Sequence, residues 1–576
     1  MPEAILSNQA EQASQEALES IYSCIDHRKS FLLEAGAGAG KTYSLIKALK
    51  YLIEKQSGEL LRRQQRIACI TYTNVARDEI ESRTDGHPAI FSSSIHAFCW
   101  SMIKDFQPFL RDKISCLNEK WAEKLQAVDG IEIRKVEYEL GYQTVKEDRI
   151  FLGHDDVLSL TVLLMAQSKF RSIFTSRYPI VFIDEYQDTD KNFANALITS
   201  FLGKDKSPLI GFFGDHWQKI YSSGCGKIEH EALEIIGKKA NFRSVNTIVE
   251  GLNRMRPDLP QAVKDPDAEG FLAIYHTNYF KEERRGGNHW KGDLPADVVH
   301  QELKFIREYL ACEGWDFSAD KTKILMLTHN ALAEEQGYSN LAEVFSGNEA
   351  FTKKEDACIS FFVDILEPVC TAYIDRRFGD MFAILSSRTP AIQNHAQKKK
   401  WAEDMDKLID LRETSSIGAV LDHLMQTKRP RLPDKIEAKE RDLQHLSPEQ
   451  IGELDSLKRQ CKLREVRYQE VILLSQFLNK HTPFATKHGV KGAEFDNVLV
   501  VFGRGWNQYN FNQMLEWVEI GVPSGKQETF ERNRNLFYVV CSRPKKRLAL
   551  LFTQELSSDA IKTLAKWFGE SVIYST

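Results

Sequence analysis

Apolar positions fall along the chain in short unbroken runs separated by stretches of helical spacing. SFLLEA at Ser30–Ala35, Arg66–Thr73, Pro179–Asp184 and Pro208–Asp215 are each of strand length, and continuous apolar runs of that length mark strands buried on both faces. After Lys41 the period changes: Leu45, Ile46, Leu49, Leu52 and Ile53 recur as one helix face. Strand, glycine-rich turn and helix therefore follow in order. Buried parallel strands need crossover helices, so the four runs predict one parallel sheet with helices on its faces. KTKILMLTHN, DNVLVVFG and RLALLFT provide strands for a second such sheet. The class expected is α/β with two parallel sheets.

Two stretches interrupt this pattern. About 85 residues separate SIHAFC (Ser94 to Cys99) from the acidic run that ends at Asp190, room for a small helical insertion at 101–151. A longer insertion, 351–480, interrupts the second sheet. Its last third, RPRLPDKIEAKERDLQHLSPEQIGELDSLKRQCKLREVRYQE, carries charge of both signs at helical spacing, the pattern of a solvated helix pair.

Composition narrows the class without naming a function. The 576 residues allow about four domain-sized pieces. The apolar share of 42% and charged share of 27% are those of a globular protein. No run is expected to reach the ~18 apolar residues of a membrane helix. The start, MPEAILSNQAEQASQ, lacks the basic and apolar regions of a signal peptide. The expected location is the cytoplasm, with no membrane partner. Ten cysteines without a C-x-x-C pair suggest no zinc site and no disulfide framework. The net charge of −5 requires any nucleic-acid site to be a local groove.

The candidate chemistry begins in EAGAGAGKTYSL. In Ala35, Gly36, Ala37, Gly38, Ala39 and Gly40 the glycines let successive amides converge on an anion, and the helix N-terminus behind them adds a favourable dipole. Lys41 would reach the β and γ phosphates and Thr42 would ligate Mg²⁺. The strict P-loop pattern has glycine where this chain has Ala35. PIVFIDEYQDTD ends a second apolar run in acids: Asp184 could hold Mg²⁺ beside a P-loop, and Glu185 could orient or deprotonate the attacking water. A strand ended by solvated acids is the plainer reading of that run taken alone. The two stretches together read as an ATPase.

Further stretches resemble, in order, the motifs of the UvrD/Rep/PcrA group of superfamily 1A DNA helicases. ITYTNVARDEIESR is similar to motif Ia and SIHAFC to the next DNA-contacting motif. IDEYQD is similar to motif II, GDHWQKIY to motif III and NFRS to motif IV. TKHGVKGAEFDNV is similar to motif V and RNLFYVVCSRPKKRL to motif VI. The resemblance implies two RecA-like P-loop lobes, each with a mainly helical insertion: 1–100 and 152–265 as lobe one, 101–151 as its insertion, 266–350 and 481–576 as lobe two, and 351–480 as the insertion there. It implies hydrolysis of ATP with Mg²⁺ and movement 3′ to 5′ on single-stranded or tailed duplex DNA. Gln218 would sense the γ-phosphate; Arg243 and Arg543 would neutralise charge on the transferred phosphoryl group, a role worth ~10³ or more in rate. Glu494 would touch ribose and triphosphate, and Phe242 would stack on adenine. Thr71, Tyr72, Asn74, His96 and His488 would meet the nucleic acid, where stacking on an aromatic ring such as Tyr72 tolerates any base sequence.

The chain departs from the family at three places. Motif III continues into SSGCG at Ser222 to Gly226, where the family has an aromatic and an arginine. Tyr43 stands where the family has an arginine near adenine. Gln9, Gln12 and Gln15 are all candidates for the adenine-reading glutamine, with Gln12 favoured. About 30 residues follow motif VI, so any DNA cleavage is expected from a separate nuclease subunit. Two readings follow: a DNA translocase, or a DNA-triggered nucleotide-hydrolysing switch such as the helicase component of a Gabija-type antiphage system, working with an OLD-family nuclease.

Overall fold

The computed structural model describes residues 8–576 apart from 127–130, 139–142, 328, 346–350, 353, 386–391, 448–450, 452–453, 480–481, 486–492 and 505–507. The chain divides into two units: Met1–Leu272 with Met514–Lys546 and Lys562–Glu570, and Ala273–Gln513 with Arg547–Ile561 and Ser571–Thr576. The stretch Met514–Lys546, numbered with the second lobe in the expectation above, thus packs in the first unit.

The four runs of the first half form strands β1 (Phe31–Ala35), β2 (Ile67–Thr71), β7 (Ile180–Asp184) and β8 (Leu209–Gly214). Joined by β3 (Ile90–Ser94) and β9 (Glu234–Lys238), they make a six-stranded sheet in the order β3-β2-β7-β8-β1-β9. Every pairing in it is parallel, so all six carboxyl ends lie on one edge. That edge is where open α/β sheets place ligands. It carries Ala35, Thr71, Ser94, Asp184, Gly214 and Lys238, so the candidate motifs share one rim.

Successive strand residues point to opposite faces, and the core accordingly divides in two. Phe31, Leu33, Phe182 and Phe213 meet α1 (Gln9–Asp26) and α2 (Lys41–Arg62) through Ile21, Leu45, Leu49 and Leu52. Leu32, Ile70, Val181 and Phe212 face the other way, with Phe98, Trp121 and Phe174. Burying one such side chain contributes roughly 1.5–3 kcal/mol. Three of these rings pack edge to face at 5.2–5.9 Å, and Gly211 makes the room: a Cβ there would meet Phe31 and Phe182 at 2.7 Å.

The segment 101–151 holds helices Gln107–Ile114 and Glu119–Gln126, and also β4 (Lys135–Tyr138), β5 (Thr144–Val145) and β6 (Arg149–Leu152) in a small sheet ordered β4-β6-β5. Runs of two to four residues are too short for strand alternation to register in the sequence. Short strands β10 (Ala240–Asn241) and β11 (Ala262–Val263) pair in parallel beyond β9.

The second unit contains β12 (Phe271–His276), β13 (Thr322–Met326), β14 (Phe484–Ala485), β15 (Phe495–Phe502), β16 (Pro544–Phe552) and β17 (Ile573–Ser575), ordered β14-β13-β15-β16-β12-β17. The expected class, α/β with parallel sheets in two RecA-like lobes, is the one observed. Between β13 and β14 the described chain is helical. One stretch there corrects the expectation from composition. Ala357–Ile374 is long and apolar enough to cross a membrane, with mean hydropathy 1.6. Its apolar face is core: Phe361, Phe362, Leu366, Val369 and Cys370 are buried among neighbouring helices, and Glu367 within it accepts from Arg412 Nε at 2.9 Å and Tyr468 Oη at 2.9 Å.

Candidate active site

The turn from β1 into α2 has the backbone a phosphate cradle needs. Gly38 and Gly40 have φ of +74° and +75°, a region that side-chain-bearing residues rarely occupy. A Cβ at Gly38 would also meet Asn241 Oδ1 at 2.7 Å. Side chains hold the loop from outside. Asn241 Nδ2 and Gln261 Nε2 donate to Ala37 O at 3.0 and 3.2 Å, Phe242 N donates to Gly38 O at 2.9 Å, and Ala37 N donates to the Tyr538 hydroxyl at 3.3 Å. Lys41 Nζ lies 3.5 Å from Ala35 O, and Ala39 N donates to Gly36 O at 3.2 Å. Ala35 is the buried end of β1, outside the converging turn, so a missing glycine there is no obstacle.

Asp184 ends β7 and is 5% exposed. Glu185, next to it, takes φ +49° and ψ +48°, left-handed backbone that costs roughly 1–3 kcal/mol for a residue with a side chain and clusters at functional sites. Its carboxylate accepts from Gln187 Nε2 at 2.5 Å. The Thr42 hydroxyl and the Asp184 carboxylate are the oxygen donors a hard divalent cation prefers. Together with the left-handed glycines they fit Mg²⁺ and a triphosphate.

The GDHWQKIY stretch takes part in a chain of hydrogen bonds. Gln218 Nε2 donates to Asp215 Oδ2 at 2.7 Å, which leaves Oε1 to accept from Arg543 Nη2 at 3.1 Å. Arg543 also donates to Val539 O at 2.9 Å and Ser542 Oγ at 3.1 Å. All three acceptors are neutral, and the guanidinium is 1% exposed. Burial, reinforced by the nearby charge of Arg243 and opposed by Glu185, pushes its pKa down to about 9. A guanidinium buried among neutral acceptors carries a desolvation cost that a nearby anion would relieve. Arg243 Nη1 donates to Ser542 O at 3.0 Å, and Ser244 Oγ to Pro544 O at 2.7 Å. The NFRS segment thus binds the chain that follows helix Gln527–Cys541, bringing both arginines and Gln218 together within the first unit.

A second polar cluster lies behind the cradle and is absent from the sequence reading. Arg256, with a 1% exposed side chain, donates to Asp215 Oδ1 at 2.6 Å and Glu34 Oε1 at 2.8 Å. Tyr186 Oη donates to Glu34 Oε2 at 2.6 Å, and His216 Nδ1 lies 2.7 Å from Glu34 Oε1. Burial opposes the Glu34 charge, but hydrogen bonds from His216 and Tyr186 and the charges of His216 and Arg256 hold its pKa near about 2. Asp215, fully buried and beside Glu34, is raised by desolvation despite Arg256. Two carboxylates sharing one guanidinium separate in this way. The only sequence signal for this network is a charge, Glu34, inside an apolar strand; Arg256 has none.

The nucleic-acid candidates divide. Thr71 is buried and donates to Thr73 O at 3.0 Å, so it shapes the turn. Tyr72 is 38% exposed, and its ring lies 5.2 Å from that of Tyr221, which gives a two-ring face built from motifs Ia and III. Asn74 opens α3 (Asn74–Arg83) and is exposed. His96, in α4 (Ile95–Ile103), packs edge-on to His154 at 4.8 Å; burial, then His154, lowers its pKa. His488 lies outside the described residues. Glu494 is exposed just ahead of β15 in the second unit. Gln12 is exposed on α1, its Nε2 donating to Glu16 Oε1 at 3.1 Å.

Comparison with known proteins agrees with this geometry. Residues 18–224 match an AAA domain family. The chain is 25% identical to the Gabija protein GajB of Bacillus cereus (strain HuB5-5), with 98% of each chain covered. It is 26% identical to the ATP-dependent DNA helicase Rep of Buchnera aphidicola subsp. Baizongia pistaciae over 39% of this chain and 40% of that one. It is 22% identical to the ATP-dependent DNA helicase PcrA of Staphylococcus aureus (strain Mu50 / ATCC 700699) over 39% and 37%. The chain is thus similar along nearly its whole length to Gabija protein GajB and, over less than half of it, to the helicases Rep and PcrA.

Proposed function

We propose that the chain hydrolyses ATP in response to single-stranded DNA and uses the cycle to move 3′ to 5′ along it. The observation that carries this is the pair Arg543 and Gln218: a buried guanidinium held by neutral acceptors, in hydrogen-bond contact with the amide that motif III orients. In this reading Lys41 and the P-loop amides bind the triphosphate, Ala37 N exchanging the Tyr538 hydroxyl for a phosphate oxygen. Thr42 and Asp184 hold Mg²⁺, which when bound neutralises charge on the phosphates. Glu185 takes the proton of the attacking water, and Arg243 and Arg543 stabilise the negative charge that grows on the transferred group. Tyr72 and Tyr221 offer a stacking face to DNA bases on the rim that also carries the P-loop, so strand contact and hydrolysis share one sheet edge.

A second reading is favoured by one finding, the match to GajB over 98% of both chains, where the Rep and PcrA matches cover less than half of either. In it the same site is a DNA-triggered switch in antiphage defence, working with a separate nuclease. Steady-state ATP hydrolysis with and without single-stranded DNA, beside Lys41→Ala and Glu185→Gln, tests the site. Unwinding of a 3′-tailed duplex by the same samples separates the readings. Stimulation with unwinding supports the motor, stimulation without unwinding supports the switch, and absence of hydrolysis overturns both.

A further inference from the structure

Lys238 ends β9 with its ammonium inside the protein. The residue is 0% exposed, and Nζ donates to Ser44 Oγ at 2.8 Å and Gly40 O at 3.3 Å. The same nitrogen lies 5.6 Å from the ring centre of Tyr43 and 5.9 Å from that of Phe242. A buried charge is costly unless an anion accompanies it, yet these partners are two neutral oxygens and two aromatic faces. Burial brings the amine down to about 8. A methionine would fill the same space without that penalty.

The two rings that cover the amine are themselves open to solvent, Tyr43 at 46% and Phe242 at 38%. Tyr43 stands in the first turn of α2 beside Thr42, and Phe242 is pinned to the cradle through its N–H to Gly38 O at 2.9 Å. A flat base stacked on these rings would come within reach of Nζ. An ammonium has three donors; two serve Ser44 and Gly40, and the third is available to the base edge. Gln12 and Gln15 of α1 bond to Glu16 and Glu19 at 3.1 and 3.0 Å on the exposed face.

We infer that Lys238 donates a hydrogen bond to N7 of the purine base that Phe242 is expected to stack on, with Tyr43 beside it, which makes Lys238 a specificity-determining residue. N7 is the acceptor that adenine and guanine share and pyrimidines lack. The inference rests on nucleotide hydrolysis at this site and adds to it the group that reads the base.

The experiment removes the contact from each side. Steady-state hydrolysis of ATP and 7-deaza-ATP is measured for the unsubstituted chain and for Lys238→Met, with tripolyphosphate as competitive inhibitor of both. The expected result is a KM for ATP raised about ten- to a hundredfold in the variant, with kcat within about twofold. The unsubstituted chain should show the same rise on 7-deaza-ATP, with no further rise when variant and analogue are combined and with an unchanged inhibition constant for tripolyphosphate. Penalties that multiply, or an equal KM for ATP and 7-deaza-ATP in the unsubstituted chain, overturn the N7 contact. A tripolyphosphate constant that rises as much as the KM for ATP overturns it in favour of a role for Lys238 in shaping the P-loop alone. Absence of hydrolysis in the unsubstituted chain overturns the nucleotide reading itself.

Discussion

Replacing Arg543 by methionine should make the protein more stable and inactive. The native guanidinium is 1% exposed, and burial brings its pKa from 12.5 to about 9. At about 1.4 kcal/mol for each pKa unit, that depression sets a ceiling of about 5 kcal/mol on the penalty of holding the charge. The sign is that of a depressed cation: the penalty is present in full below pH 9 and is relieved only between there and 12.5. Against the ceiling stand three hydrogen bonds, to Val539 O, Ser542 Oγ and Gln218 Oε1, each contributing about 0.5–1.5 kcal/mol. Methionine fills the same volume without charge, so the net gain expected is about 1–3 kcal/mol, seen as a later thermal transition without nucleotide. DNA-stimulated hydrolysis should fall ~10³-fold or more, and the stabilisation that a non-hydrolysable triphosphate gives the native chain should shrink. A less stable variant would refute the view of Arg543 as a strained, anion-seeking cation, as would one that still hydrolyses ATP at the native rate.

Arg256→Met leaves Glu34 and Asp215 facing each other in a buried site and should destabilise the protein by about 3–5 kcal/mol; adding Glu34→Gln should recover part of the lost thermal stability. Glu34, held near about 2 against an ordinary 4.5, contributes stability that is present above pH 4.5 and lost as pH falls from there toward 2, on the order of 3 kcal/mol in all. Acid unfolding of Glu34→Gln should be flatter than that of the native chain across this window. Tyr72→Ala and Tyr221→Ala should each weaken single-stranded DNA binding by about 1–3 kcal/mol, read by fluorescence anisotropy, while leaving hydrolysis without DNA unchanged; DNA affinity equal to that of the native chain in both variants would remove the two-ring face from the site.

Periodicity and local chemistry specify the first sheet, the P-loop and the acidic strand end. A buried parallel strand reads as an unbroken apolar run, and a cradle needs glycine at positions that Gly38 and Gly40 occupy. Asp184 and Glu185 are legible as the acidic end of an apolar strand, whereas Gln218, Arg243 and Arg543 are candidates through the resemblance of their motifs. What neighbours those strings acquire is decided in three dimensions. Ala357–Ile374 is apolar enough for a membrane, and only the helices around it show that it is core. Arg256 sits among ordinary surface-like residues in sequence, yet folding buries it between two acids from β1 and the end of β8. Lys238 looks like the solvated end of a short strand until Tyr43 and Phe242 close over it, and Tyr538 is an apolar-helix tyrosine until its hydroxyl meets Ala37. Sequence by itself determined the long buried strands and the glycine turn, and named candidates for phosphate chemistry, because these depend on spacing within a few residues. Tertiary structure alone decided which charges are stripped of water and which partners they meet, because burial and hydrogen bonding join residues hundreds of positions apart.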